Sequence, residues 1–170
     1  MKILNLGAGN RIIEGADNHD IIQHRPEINT VFNLNSFKWY EYIARDLNLP
    51  IEQVKDSYDR IELISVLEHL SRPLDALNEC WQLLKSDGIL VVKYPHKDSF
   101  TAYDDLTHRN YMTEYSLDYV DPRTYYGKHD GMFYTEKKWN ILTPLENRVI
   151  IKAHDRGKRI NVKMELRPIK

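Results

Sequence analysis

The chain predicts an α/β fold with a mostly parallel sheet covered by helices. Three observations carry this. Short apolar runs alternate with amphipathic stretches through residue 94, the pattern of strand–helix–strand units. The run Ile89-Leu90-Val91-Val92-Lys93-Tyr94 is almost wholly apolar, as a central strand buried on both faces should be. The first apolar run, Ile3 to Leu6, breaks at once into Gly7-Ala8-Gly9, a buried strand ending in a tight turn.

Taken in order, strand one covers about Lys2 to Leu6, strand two Ala16 to Ile22 and strand three Thr30 to Leu34. Ser36 then caps a helix to about Leu47. On it Phe37, Tyr40 and Ala44 recur at helical spacing, either as a core stripe or with one aromatic walling a ligand pocket. Leu49-Pro50 ends the helix, and a loop runs to Tyr58. Strand four spans Arg60 to Val66. Ser71 caps the next helix, with Pro73 in its first turn, where a missing N–H costs nothing. Leu74, Leu77, Trp81 and Leu84 form its apolar face, and Cys80 beside them reads as a buried small hydrophobe. Gly88 closes that helix in a left-handed conformation, and strand five follows.

From His96 to Gly131 the alternation stops. The stretch is polar and rich in tyrosine, with Thr113 capping a short helix through Val120. A long irregular insertion after strand five would lie over the crevice as a lid or substrate wall. Two late strands, Lys137 to Leu142 and Arg159 to Arg167, complete the sheet; Ile160, Val162, Met164 and Leu166 alternate in the second.

Composition fits a single globular domain: 170 residues, 42% hydrophobic, 29% charged. A net charge of −1 favours neither nucleic acid nor membrane through the whole-chain field. No apolar run approaches the roughly 18 residues of a membrane helix. Met1 to Leu6 is too short and too quickly polar for a signal peptide, so the expectation is that nothing precedes the domain. Cys80, the sole cysteine, excludes an internal disulfide and fits a reducing, cytoplasmic compartment.

The glycine turn is the first functional signal. Glycines there permit unusual dihedrals and close approach of a ligand, and ligands of open parallel sheets bind beyond the strands' carboxyl ends. Asp20 in Asp17-Asn18-His19-Asp20 is placed to accept hydrogen bonds from ribose hydroxyls. A dinucleotide fingerprint would need a third glycine, where Ile12 stands, and a later acid. The departures weaken an NAD reading and suit a ribose ligand without pyrophosphate, such as S-adenosylmethionine.

Leu4-Asn5-Leu6-Gly7-Ala8-Gly9-Asn10, Asn18-His19-Asp20, Asp59-Arg60-Ile61, Val66-Leu67-Glu68-His69-Leu70, Leu84-Lys85-Ser86-Asp87-Gly88-Ile89-Leu90 and Asp104 to Thr113 occur in that order. The series resembles the class I S-adenosylmethionine-dependent methyltransferases of the small Rossmann-like, type 11 group. Lys-Ser-Asp-Gly stands where that group usually has Lys-Pro-Gly-Gly, and its first helix would be abbreviated. The resemblance implies a seven-stranded, mostly parallel sheet with helices on both faces and the last strand antiparallel. It implies one methyltransferase domain over 1–170, with S-adenosylmethionine as cofactor. The turn Leu6, Gly7, Ala8 and Gly9 would pass the methionyl and ribose parts, Asp20 would hold the ribose, Asn33 and Leu34 would flank the adenine, and Ser65 and Val66 would lie near the sulfonium.

Methyl transfer is an in-line displacement, and the activated group belongs to the cofactor. A base is needed only where the acceptor must lose a proton. Candidate catalytic residues are His108, Asp105 and His69, with His96 and Asp104 behind them; His108 either takes the proton or fixes the lid. Asp104, Asp105 and His108 are metal-ligand types, but no metal-binding spacing occurs and no metal is expected. From Arg148 to Lys170 eight Lys or Arg face Asp155 and Glu165, marking either phosphate binding or a solvated hairpin whose lysines protect an edge. Expected partners are a small-molecule acceptor and no membrane, in a monomer or homodimer acting on oxygen or nitrogen. The alternatives are a nucleic-acid methyltransferase using the basic C-terminal segment, or a silent cofactor-binding scaffold.

Overall fold

The computed structural model describes all 170 residues, the side chain of Met132 excepted. The strands are β1 (Ile3–Leu6), β2 (Asp17–Asp20), β3 (Ile28–Val31), β4 (Tyr58–Ile64), β5 (Leu84–Pro95), β6 (Lys138–Ile141), β7 (Val149–His154) and β8 (Gly157–Ile169). The helices are α1 (Trp39–Leu47), α2 (Pro73–Leu83) and α3 (Tyr125–His129), with short 3-10 turns between. The sheet order is β3-β2-β1-β4-β5-β8-β6. β1 to β5 are parallel, and β8, the last strand, runs antiparallel to β5. The mostly parallel sheet with its last strand antiparallel is as expected. β7, an eighth strand paired to β8, was not expected.

Every second residue along the sheet enters one core. Leu4, Leu6, Ile61, Leu63, Leu90, Val92, Tyr94, Val162, Met164 and Leu166 are buried together with Trp39 and Ile43 of α1 and Leu77, Cys80 and Leu83 of α2. The intervening residues form the other face, where Arg60, Glu62, Lys93 and Lys163 line a shallow groove with Arg11. Helices on both faces were expected; the two longer helices occupy one. From β1 the chain steps outward to β2 and β3, then returns past β1 to β4 and β5. Right-handed crossovers therefore place the first two connections on one face and the next two on the other. The connections β1–β2 and β2–β3 hold no helix, being shorter than the roughly twelve residues that a helical crossover needs.

Several end signals act otherwise than expected. Ser36 does not cap α1: Lys38 precedes the helix with φ 60°, and Glu79 of α2 accepts from Trp39 N at 2.9 Å. Ser71 does not cap α2. Its N and Oγ both donate to Asn35 Oδ1, at 2.8 and 2.7 Å, while Pro73 opens the helix as expected. Gly88 is not a helix terminus but part of β5. A Cβ there would lie 2.9 Å from Tyr58 O, so glycine serves close strand approach. Thr113 starts no helix to Val120; only a 3-10 turn, Asp118–Val120, forms. The capping threonine is Thr124, which accepts from Gly127 N at 3.0 Å at the start of α3.

The segment after β5 docks on the turn after β4. Arg109 N and Asn110 N donate to Glu68 O at 2.7 and 3.1 Å. Asn110 Nδ2 donates to Leu67 O at 3.0 Å and Leu70 O at 2.7 Å. His96, expected among the candidate bases, is instead buried against Glu114, Nε2 to Oε2 at 2.9 Å.

Candidate active site

The glycine turn is held from two sides. Gly7 has φ 63°, and a Cβ on it would lie 2.6 Å from Val66 Cγ2; glycine is required for both conformation and space. Gly9 has φ 52° and open space where a Cβ would stand, so its backbone is bare to the crevice. Asp20 Oδ2 accepts from Gly9 N at 2.8 Å, and Oδ1 accepts from Ile21 N at 2.7 Å. Each carboxylate oxygen keeps a further lone pair for a ligand hydroxyl. His19, buried behind the turn, accepts from Gly7 N at Nδ1 (3.2 Å), while its Nε2 meets Phe32 O at 2.9 Å. Burial lowers its pKa to about 4, so the ring is neutral.

A cleft of about 290 Å³ opens here, lined by Gly7, Gly9, His19, Asp20, Ile21, Phe32, Asn33, Leu34, Asn35, Ser65, Val66, His69 and Leu70. Seven of the residues expected to hold the cofactor therefore converge: Gly7, Gly9, Asp20, Asn33, Leu34, Ser65 and Val66. Leu6 and Ala8 do not line it. Leu6 belongs to the core, and Ala8 is 3% exposed, because alternation along β1 turns Leu6 inward. Ser65 takes φ 57° at the end of β4, a conformation uncommon for a non-glycine residue and concentrated at functional sites.

A second cleft, about 220 Å³, adjoins the first. Its lining includes Ser65, Glu68, His69, Thr101, Asp105, His108, Arg159 and Asn161. All three expected catalytic residues face it. Their hydrogen bonds orient them. His108 Nδ1 lies 3.0 Å from Ala102 O, so it carries the hydrogen and Nε2 the lone pair. Thr107 Oγ1 donates to Asp105 Oδ1 at 2.7 Å and lies 2.8 Å from His69 Nδ1. The same logic leaves a lone pair on His69 Nε2. His108 Nε2 stands 3.9 Å from Asp105 Oδ2, and the two imidazoles meet edge-on, centroids 4.6 Å apart.

Electrostatics differ across the cluster. Burial raises the Glu68 carboxyl to about 7, with Asp105 adding to the rise. Burial, then the neighbouring His108, lowers His69. Hydrogen bonds from Thr107 hold Asp105 below the usual carboxylate range. Sequence reasoning missed Glu68 and His19. Glu68 stood in the quoted Leu-Glu-His-Leu stretch, and an acid inside an apolar run was the available signal.

No protein of curated function matches the chain in sequence. The family model for a methyltransferase domain matches residues 25–92. Among solved structures, a SAM-dependent methyltransferase from Archaeoglobus fulgidus superposes with TM-score 0.56 at 12% identity, covering 98% of this chain and 85% of that one. The [4+2]-cyclase SpnF gives 0.57 at 11% identity, covering 98% and 73%. A W203A mutant of the 16S rRNA (adenine(1408)-N(1))-methyltransferase from Catenulisporales acidiphilia gives 0.55 at 8% identity, covering 99% and 85%. The domain match covers 68 of the 170 residues, and the superpositions, at 8–12% identity, show that the fold is shared.

Proposed function

We propose that the protein moves a methyl group from S-adenosylmethionine to an oxygen or nitrogen of a small molecule or sugar. The observation that carries this is the shared wall: Ser65 and His69 line both clefts. A group held at the end of the first cleft meets an acceptor in the second across those two residues. When bound, the cofactor supplies the activated methyl.

The chain's part is grip, alignment and dryness. Asp20 accepts from the ribose hydroxyls while its bonds to Gly9 and Ile21 hold it still. Gly7 and Gly9 pass under the methionyl part, and Asn33 and Leu34 flank the adenine. His108, His69 and Asp105 orient the acceptor and draw off its proton. Residues 96–131 form the lid of a single methyltransferase domain, docked on Glu68 and Leu70 by Arg109 and Asn110. Alignment of this kind is worth roughly 7–11 kcal/mol. No helix among the described residues is long and apolar enough to cross a membrane. A monomer or homodimer in the cytoplasm, with a small soluble acceptor, is the corresponding expectation.

One observation favours a second reading. Arg159 enters the acceptor cleft from the basic hairpin of β7 and β8, which suits a phosphate-bearing acceptor such as a nucleic acid. A cofactor-binding protein without transfer is the third, since one fold supports unrelated chemistries. Labelled-methyl transfer from S-adenosylmethionine into fractionated metabolites tests the first reading, with label expected in a small polar fraction. Label appearing only in nucleic acid, with binding that weakens steeply with salt, would replace it by the second. Tight cofactor binding without transfer to any fraction would replace it by the third.

A further inference from the structure

The acceptor cleft contains a donor set that proton transfer alone leaves unexplained. Glu68, His69 and His108 each offer one ligand atom, and these atoms lie within 4.8 Å of one another. Glu68 is 1% exposed, and its Oε2 has no hydrogen-bond partner among the described residues. A buried carboxylate oxygen with no donor is costly unless something else meets it.

The histidines are prepared in the manner of metal ligands. His108 Nδ1 is committed to Ala102 O at 3.0 Å and His69 Nδ1 to Thr107 Oγ1 at 2.8 Å, and Thr107 is tied to Asp105. Such partners on the far nitrogen fix ring orientation and tautomer and leave the other nitrogen free to coordinate. The lid contributes to this arrangement, because Ala102, Thr107 and His108 all belong to it.

We propose that Glu68, His69 and His108 bind one divalent transition-metal cation, which coordinates the acceptor. Two imidazoles and one carboxylate leave open positions and suit Mn²⁺, Fe²⁺, Co²⁺ or Zn²⁺ rather than the all-oxygen preferences of Mg²⁺ and Ca²⁺. Ligand atoms about 2.0–2.2 Å from an ion lie about 3.4 Å apart, so binding would draw the three together. The inference rests on the methyl-transfer reading and deepens it. It revises the expectation of no metal, which weighed Asp104, Asp105 and His108 for a metal-binding spacing and did not consider Glu68. An acceptor hydroxyl on the cation becomes more acidic. With both imidazoles holding the cation, Asp105 alone of the three candidate catalytic groups is left to take the hydroxyl proton; the oxygen pair forms the bond to the methyl carbon, and the carbon–sulfur bond breaks with its electrons returning to sulfur.

The test is titration of the metal-stripped protein with Co²⁺, followed by visible absorption, and equilibrium dialysis against Zn²⁺. One equivalent per chain is expected, with a Co²⁺ absorption band that Zn²⁺ abolishes. Glu68→Gln and His108→Asn should each weaken binding at least tenfold, while His154→Asn, on the exposed hairpin, should not. Equal binding by wild type and a Glu68→Gln, His108→Asn double variant would overturn the proposal. S-adenosylmethionine titrated into the stripped protein separates the two ideas. Retained cofactor binding by the double variant shows that it is folded. Failure of wild type to bind the cofactor would instead remove the methyl-transfer reading, whatever the Co²⁺ result.

Discussion

The backbone N–H of Gly7 donates to Nδ1 of His19 at 3.2 Å. The opposite ring nitrogen is occupied by Phe32 O at 2.9 Å, so the imidazole links the glycine turn to the end of β3. Only a neutral ring can do this, because protonated Nδ1 no longer accepts.

That link makes the turn sensitive to acid. Burial lowers the folded pKa of His19 to about 4, against about 6.5 when unfolded. The unfolded chain therefore binds the proton first, and stability falls as pH drops. The contribution is fully present above about pH 6.5 and is lost progressively down to about pH 4. Its size is about 3 kcal/mol, from 1.36 kcal/mol per pKa unit. Urea unfolding at stepwise pH should show this slope, and His19→Gln should flatten it. An equal slope in the variant would locate the acid sensitivity elsewhere.

Gly7→Ala should destabilise the folded protein more than Gly9→Ala. Both positions have positive φ, which costs about 1–2 kcal/mol for a residue with a Cβ. At Gly7 the new Cβ also meets Val66 Cγ2 at 2.6 Å, whereas at Gly9 it enters open space. Val66→Ala added to Gly7→Ala should recover part of the thermal stability but not the dihedral cost. Equal melting points for the two alanine variants would contradict the contact.

Gly127→Ala should destabilise the protein although it lies in helix α3, where alanine normally gains about 1 kcal/mol over glycine. Its Cβ would sit 1.8 Å from Asp121 O, and Asp121 is fixed by Ile141 N at 2.8 Å and Arg123 Nε at 3.0 Å. The helix would have to leave its seat, a cost of about 1–3 kcal/mol. Denaturant melts give the sign directly, and a stabilised variant would refute the close seat.

Glycines and caps show how far the sequence could be read. Gly7, Gly9 and Asp20 were legible because a strand breaking into two glycines, with an acid soon after, has few physical uses. His108, Asp105 and His69 were legible from their stretches, and the fold brings all three to one cleft. Gly88 misled: glycine after Lys-Ser-Asp matches a helix terminus, and its real constraint is Tyr58 O, a strand away in space. Ser36 and Ser71 misled similarly, since Glu79 and Asn35 supply or claim the relevant bonds from distant positions. The bare sheet face follows from counting the short connections before Asp17 and Ile28. Glu68 was hidden because an acid in an apolar turn shows its lack of partners only in three dimensions.

The most direct measurement is calorimetric titration of S-adenosylmethionine into wild type and Asp20→Ala. One cofactor per chain is expected for wild type. Loss of charge-assisted bonds worth about 1.5–3 kcal/mol should weaken the variant at least tenfold. Unchanged affinity in the variant, or a wild type that binds NAD and ignores S-adenosylmethionine, would contradict cofactor binding at the glycine turn.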